Sequence, residues 1–68
     1  MRTGRIKWFN DLQDHGYIIL SDGTEIYFHG TGVLPSGLNG PLHPGTDVSF
    51  DLIETRSGLE AHNVETIG

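Results

Sequence analysis

Short runs in which apolar and polar residues alternate make up most of this chain, and Gly, Pro, Asn and Asp separate them. No segment keeps the spacing of an amphipathic helix over the roughly 11 residues that would identify one. The pattern predicts an all-β chain with strands at about residues 5–10, 16–20, 25–29, 47–54 and 59–67. Five strands with a long connection between the third and the fourth indicate a small closed antiparallel barrel, which hides its sheet edges.

The period of two assigns a face to each residue of the predicted strands. Residues predicted to face the core are Ile18, Leu20, Ile26, Phe28, Val48, Phe50 and Leu52. Residues predicted on the opposite face of the second and third strands are His15, Tyr17, Tyr27 and His29. In the first strand Ile6 and Trp8 fall on the same side, so we expect a β-bulge or a strong twist that separates them.

Length and composition limit the class of protein. The 68 residues give room for one domain, residues 1–68, and for no second one. Because the chain has no Cys, it has neither a disulfide framework nor a cysteine metal site, and a reducing compartment fits best. No apolar run approaches the ~20 residues of a membrane span or forms the core of a signal peptide. We therefore expect a soluble cytoplasmic protein.

The segment that favours a function is residues 4–10, where Trp8 and Phe9 lie beside Arg5 and Lys7. An exposed aromatic ring offers a face for any base, worth about 1–3 kcal/mol per stacked base, while cations follow the phosphates. A Trp in a small domain is more often part of the core, so the segment alone leaves both interpretations open. The net charge of −5 argues against a general polyanion binder, although three of the four Lys and Arg precede residue 8.

Metal binding and catalysis have little support in the sequence. The four His stand at positions 15, 29, 43 and 62, a spacing that matches no compact metal-ligand motif. No nucleophile stands beside a positioned base, and no loop has the pattern that cradles phosphate. We therefore expect neither an enzyme nor a metal site, and no cofactor.

The order of motifs resembles the cold-shock domain of bacterial cold-shock proteins. The residues that carry this resemblance are, in chain order, GRIKWFN at 4–10, GYI at 16–18, DG at 22–23, IYFH at 26–29 and GLEAHNV at 58–64. The likeness covers essentially the whole chain almost without gaps. It implies a five-stranded oligonucleotide-binding (OB) barrel that stacks bases of single-stranded RNA or DNA on surface aromatic rings, with low sequence specificity. It further implies an RNA chaperone or a modulator of transcription or translation, and we expect a monomer rather than a dimer.

Transferred to this sequence, the implied nucleic-acid-binding residues are Lys7, Trp8, Phe9, Asn10, His15, Tyr17, Tyr27, His29 and Arg56. In this set Lys7 lies near a phosphate, Asn10 reads a base edge, and Arg56 stands where the family often has a basic residue. Phe9 is either a stacking platform or part of the core. His15 is either a weak platform or a solvated loop residue.

The chain also departs from the family pattern. It has QDHGY at 13–17 where the family usually has KGFGF, so it loses a cation, gains Asp14 and has His15 in place of Phe. Gly30 and Leu38 stand where the family usually has aromatic residues. At ~1 kcal/mol per lost stack, two or three losses weaken binding by a factor of roughly tens to hundreds. The alternative is an OB barrel that has largely lost nucleic-acid binding and serves as a protein-interaction or dimerising module.

Overall fold

Alternating strands separated by turn residues fold into a closed barrel in the computed structural model, which describes residues 2–34 and 42–67. The strands are β1 (Arg2–Asn10), β2 (His15–Ile19), β3 (Glu25–His29), β4 (Asp47–Thr55) and β5 (Gly58–Thr66), and a 3₁₀ turn (Gly30–Gly32) follows β3. Their hydrogen-bonded order is β1-β2-β3-β5-β4, and β4 pairs with β1 to close the barrel. The predicted fold class is confirmed.

Strand direction differs from the prediction at one pair. β3 and β5 run parallel, with Tyr27 opposite Glu60 and Phe28 opposite Ala61, whereas the other pairs are antiparallel. A closed barrel with an odd number of strands cannot alternate direction all the way round, so at least one neighbouring pair must be parallel. The chain reaches this arrangement because β4, which follows β3 in the sequence, pairs with β1 and β5 and not with β3.

The core is formed by apolar side chains that the alternation largely predicted. Eight of them are at most 2% exposed: Ile6, Ile18, Ile26, Phe28, Val48, Phe50, Ala61 and Val64. Around them pack the partly buried Phe9, Leu20, Val33, Leu42 and Leu52. Leu20 and Leu52 therefore contact the core from its margin, whereas the other predicted core positions are fully buried.

A one-residue bulge in β1 positions Trp8. Ile6 lies opposite Ile18 but Trp8 lies opposite Tyr17, so β1 advances two residues while β2 advances one, and Lys7 is the extra residue. A bulge of this kind re-aims the side chains that follow it. Ile6 is 1% exposed and Trp8 is 37% exposed. The predicted separation of these two side chains is confirmed.

A second bulge interrupts β5. Between the pairs Ser49 with Glu65 and Asp51 with His62, β4 advances two residues and β5 advances three. Asn63 takes up the irregularity with a φ of 54°, which Asn tolerates better than most residues, and its Nδ2 donates to Asp51 Oδ2 at 2.8 Å. The bulge explains why Val64 is buried three residues after Ala61, a spacing that simple alternation does not produce.

The turn between β2 and β3 is the predicted Asp-Gly hairpin turn. Gly23 has a φ of 91°, which a residue without Cβ adopts at little cost. The amide of Thr24 donates to Asp22 Oδ1 at 2.9 Å, and this hydrogen bond lowers the pKa of the Asp22 carboxyl below its ordinary value. The local hydrogen bonds therefore fix the register that sets Tyr17 opposite Tyr27.

Gly16 is required for close contact between β1 and β2. A Cβ at this position would overlap the Trp8 carbonyl oxygen and approach the Phe9 Cα to 2.9 Å. Both are backbone atoms, so Gly16→Ala should force the strands apart and lower the free energy of unfolding by about 1–3 kcal/mol. Urea denaturation measures this change.

Gly32→Ala is the matched control for that substitution. A Cβ at Gly32 meets nothing closer than the Ala61 carbonyl oxygen at 3.6 Å, which is ordinary contact. We expect the free energy of unfolding of this variant to stay within about 0.5 kcal/mol of the unsubstituted protein. Equal stability of the two variants would contradict the close approach at Gly16.

Candidate nucleic-acid interface

Four rings from three adjacent strands form a single cluster, which we call the aromatic face: Trp8, His15, Tyr17 and Tyr27. The ring centroid of Trp8 lies 5.5 Å from that of His15 and 5.4 Å from that of Tyr17. The ring centroid of Tyr27 lies 6.0 Å from that of His15 and 5.9 Å from that of Tyr17. Each ring thus contacts two others. The cross-strand register explains the cluster, because Tyr17 stands opposite both Trp8 and Tyr27.

The rings of the aromatic face support one another at the surface. Trp8 meets His15 edge-on at 71°, and Tyr17 meets Tyr27 edge-on at 75°. Aromatic pairs in this geometry contribute about 0.5–1.5 kcal/mol beyond the area they bury. Trp8 is exposed and the other three rings are half-buried. The positions of these rings are therefore already held, an arrangement that would limit the entropy lost if a ligand stacked on them.

Phe9 has a different role from its neighbour Trp8. Its ring stacks on the buried ring of Phe28, with centroids 5.5 Å apart and planes at 16°. Phe9 packs against the core as a partly buried residue. Of the two alternatives that the sequence left open, the structure shows the core contact, so at least one face of this ring is occupied.

His29 lies next to the aromatic face, opposite His15 in the register of β2 and β3. The Thr31 amide donates to His29 Nδ1 at 3.2 Å, and the Thr31 hydroxyl lies 3.0 Å from the same nitrogen. Because Nδ1 accepts from an amide, the proton of the neutral ring resides on Nε2. Thr31 therefore orients this ring, a role that the sequence analysis did not assign to it.

The predicted cations are partly neutralised by carboxylates. Lys7 Nζ lies 2.7 Å from Glu25 Oε2, and Arg5 Nε lies 3.0 Å from Asp47 Oδ1. Both pairs are solvent-exposed, so each contributes little to stability and a phosphate can compete for the cation. Arg56 lies exposed in the turn between β4 and β5. The Lys7 pair spans from β1 to β3 across β2, a contact that the sequence could not indicate.

Asn10 builds the turn between β1 and β2. Its Oδ1 accepts from the amides of Leu12 at 2.9 Å and of Gln13 at 3.1 Å. Asn side chains commonly hold such turns, and this signal was present in the sequence. The side-chain oxygen is thus engaged, which leaves the amide NH₂ as the group that can meet a base edge.

Neither a metal site nor a membrane-spanning helix is found in the part of the chain that the structure describes. Within 2–34 and 42–67, no group of three or more His, Asp or Glu side chains could hold a metal ion. In the same part of the chain, no helix is long and apolar enough to cross a membrane. Leu38, one of the departures noted above, lies outside the described residues.

Several cold-shock proteins are similar to the chain over almost its full length. Cold shock protein CspB of Bacillus caldolyticus is 33% identical over 64 residues, which cover 94% of this chain and 96% of that protein. Cold shock protein CspD of Bacillus subtilis is 34% identical over the same coverage. Cold shock-like protein CspA of Stigmatella aurantiaca is 35% identical over 68 residues, 98% of each chain.

The fold also matches that of a solved structure, Drosophila Unr CSD456. The TM-score is 0.76 at 21% sequence identity, and the match covers 97% of this chain. The chain spans only 26% of the length of that structure, so the likeness concerns one barrel of a longer protein.

A match to a family model identifies the protein family of the chain. Residues 2–67 match the model described as the 'Cold-shock' DNA-binding domain. This match agrees with the relatives above 30% identity and with the order of motifs along the sequence. The chain therefore belongs to the cold-shock domain family, whose members are nucleic-acid-binding and in general non-enzymatic domains.

Proposed function

We propose that this protein binds single-stranded RNA or DNA by stacking unpaired bases on the aromatic face. The observation that carries the proposal is the contact of all four rings on one surface, with Trp8 exposed among them. Every base has a π-face, so a stacking surface of this kind tolerates most sequences. The binding residues are those transferred from the family pattern, with Phe9 acting mainly as a support beneath the surface.

Low specificity and surface stacking suit an RNA chaperone or a modulator of transcription or translation. A protein that binds unpaired bases, and not paired ones, shifts weak secondary structure toward the open form by mass action. Such a protein needs no catalytic group. We further propose that it acts in the cytoplasm as a monomer, with single-stranded RNA or DNA as its partner.

Two features make binding weaker than in a protein with the full family pattern. His15 offers a smaller ring than Phe, and Gly30 offers no ring at all. Two of the three cations of β1, Arg5 and Lys7, already pair with carboxylates. Weak binding of this origin is compatible with the alternative function, a barrel that serves as a protein-interaction or dimerising module.

Trp8 fluorescence distinguishes the two functions. We expect saturable quenching on titration with short oligo-dT and oligo-U at low salt, because a base stacks on the indole. Tyr17→Ala and Tyr27→Ala should each weaken binding by about 1–3 kcal/mol, roughly 5- to 150-fold.

Leu59→Ala is the control for those two variants, since Leu59 is an exposed apolar residue of β5 outside the aromatic face. We expect its affinity to match that of the unsubstituted protein. A flat titration at high micromolar strand, with the fold intact by circular dichroism, would refute the proposal. A mass that rises with concentration would then support the dimerising module.

The salt dependence of binding reports the number of phosphates neutralised. With two or three contacts from Arg5, Lys7 and Arg56, at about −0.7 per contact, we expect log K against log [salt] to have a slope of about −1.5 to −2. Glu25→Gln should steepen the slope because it releases Lys7 from its ion pair. Glu54→Gln, the same charge change on β4, should leave the slope unchanged. A slope steeper than about −4 would mean that the cationic footprint lies elsewhere.

A further inference from the structure

Asp14 occupies an unusual position at the margin of the aromatic face, directly before His15. Its φ of 58° lies in the left-handed region, which Asp and Asn adopt more readily than most residues. Its amide donates to the Asn10 carbonyl oxygen at 2.7 Å, and its own carbonyl oxygen accepts from the Gly30 amide at 2.7 Å. The backbone of Asp14 is thus fixed to β1 on one side and to the 3₁₀ turn after β3 on the other.

The Asp14 carboxylate fills the space where a side chain at position 30 would begin. A Cβ built on Gly30 would overlap the carboxylate group of Asp14. The two positions therefore depend on each other, because the Asp14 carboxylate can take this place only if residue 30 has no side chain. A carboxylate now occupies the place of the first side-chain atom at a position where the family pattern has an aromatic residue.

This carboxylate is accessible and weakly engaged. The side chain of Asp14 is 52% exposed, and Oδ2 lies 3.9 Å from His29 Nδ1, beyond hydrogen-bond distance. Since His29 Nδ1 already accepts from the Thr31 amide, the neutral ring offers Asp14 no proton on that side. Neither carboxylate oxygen has a hydrogen-bond partner among the described residues, so the carboxylate can accept hydrogen bonds from a ligand that lies beside His29.

We propose that Asp14 is a specificity-determining residue that selects guanine at the His29 end of the aromatic face. This inference rests on the proposed function, because it needs a base stacked beside the carboxylate. In single-stranded nucleic acid the Watson–Crick edge of a splayed base is free to form hydrogen bonds with protein. A carboxylate with two free oxygens binds best to two parallel N–H donors.

Guanine presents that donor pair, because N1–H and the N2 amino group lie side by side on its Watson–Crick edge. Cytosine and adenine place a ring-nitrogen acceptor beside their amino group, which would face a carboxylate oxygen and repel it. Uracil and thymine have a single N3–H between two carbonyl oxygens. The carboxylate therefore favours guanine and disfavours the other bases. The rest of the aromatic face still accepts any base.

The test compares heptathymidine with heptathymidines that carry one guanine, placed at each position in turn, at pH 8 and low salt. Trp8 quenching gives the affinities. A good two-point contact to a base edge discriminates by about 5- to 100-fold, so the best guanine strand should bind more tightly by a factor in that range. Inosine in place of that guanine, which lacks the N2 amino group, should lose most of the preference.

Two variants distinguish recognition of guanine by the Asp14 carboxylate from a general effect of its negative charge on binding. Asp14→Asn keeps the size and tolerates the same backbone conformation but should bring the guanine-to-thymine ratio close to 1. Asp11→Asn removes one charge from the same turn and should leave the ratio unchanged. If Asp14→Asn strengthens binding to all strands equally, the carboxylate only repels phosphate and the inference is overturned.

The unsubstituted protein separates this inference from the proposed function. If it binds all strands tightly with a guanine-to-thymine affinity ratio near 1, the inference about Asp14 is overturned and the proposed function stands. If it binds no strand, both the inference and the proposed function are overturned.

Discussion

The bulge at Lys7 is the constraint on which the surface of this protein depends. Without the extra residue, the period of two would send Ile6 and Trp8 to the same face, and either the core would lose Ile6 or the surface would lose Trp8. With it, Ile6 is buried and Trp8 stands beside Tyr17. The aromatic face exists because β1 has one residue more than the paired segment of β2.

The close packing of β1 on β2 makes that arrangement rigid. Gly16 lets the backbone of β2 approach the Trp8 carbonyl, and Phe9 stacks on Phe28 directly beneath the surface. The core contact of Phe9 and the surface rings of Trp8 and Tyr17 therefore depend on the same pairing of β1 with β2. A substitution that loosens the core at this point also displaces the platform, so stability and binding cannot be altered independently there.

Much of the fold could be predicted from the sequence because its signals are local. The alternation of apolar and polar residues located the strands and most of the core, and the Asp-Gly pair located the hairpin turn. The β1 bulge was predicted because regular alternation puts Ile6 and Trp8 on the same side of the strand. The β5 bulge at Asn63 was not predicted, since nothing local distinguishes it from a regular strand. The ion pair of Lys7 with Glu25 and the overlap of Asp14 with position 30 depend on tertiary proximity between residues far apart in the chain.

The parallel contact between β3 and β5 gives the barrel a seam. Only two residue pairs join these strands, and a bridge between Val33 and Val64 extends the join past the end of β3. Segments joined by few hydrogen bonds open at lower free energy than the rest of a native protein, so we expect local unfolding to begin at this seam. The aromatic face lies on β1, β2 and β3, which pair antiparallel over longer registers. A barrel that has opened between β3 and β5 would thus keep the sheet of β1, β2 and β3. The aromatic face would then persist even when the core is exposed.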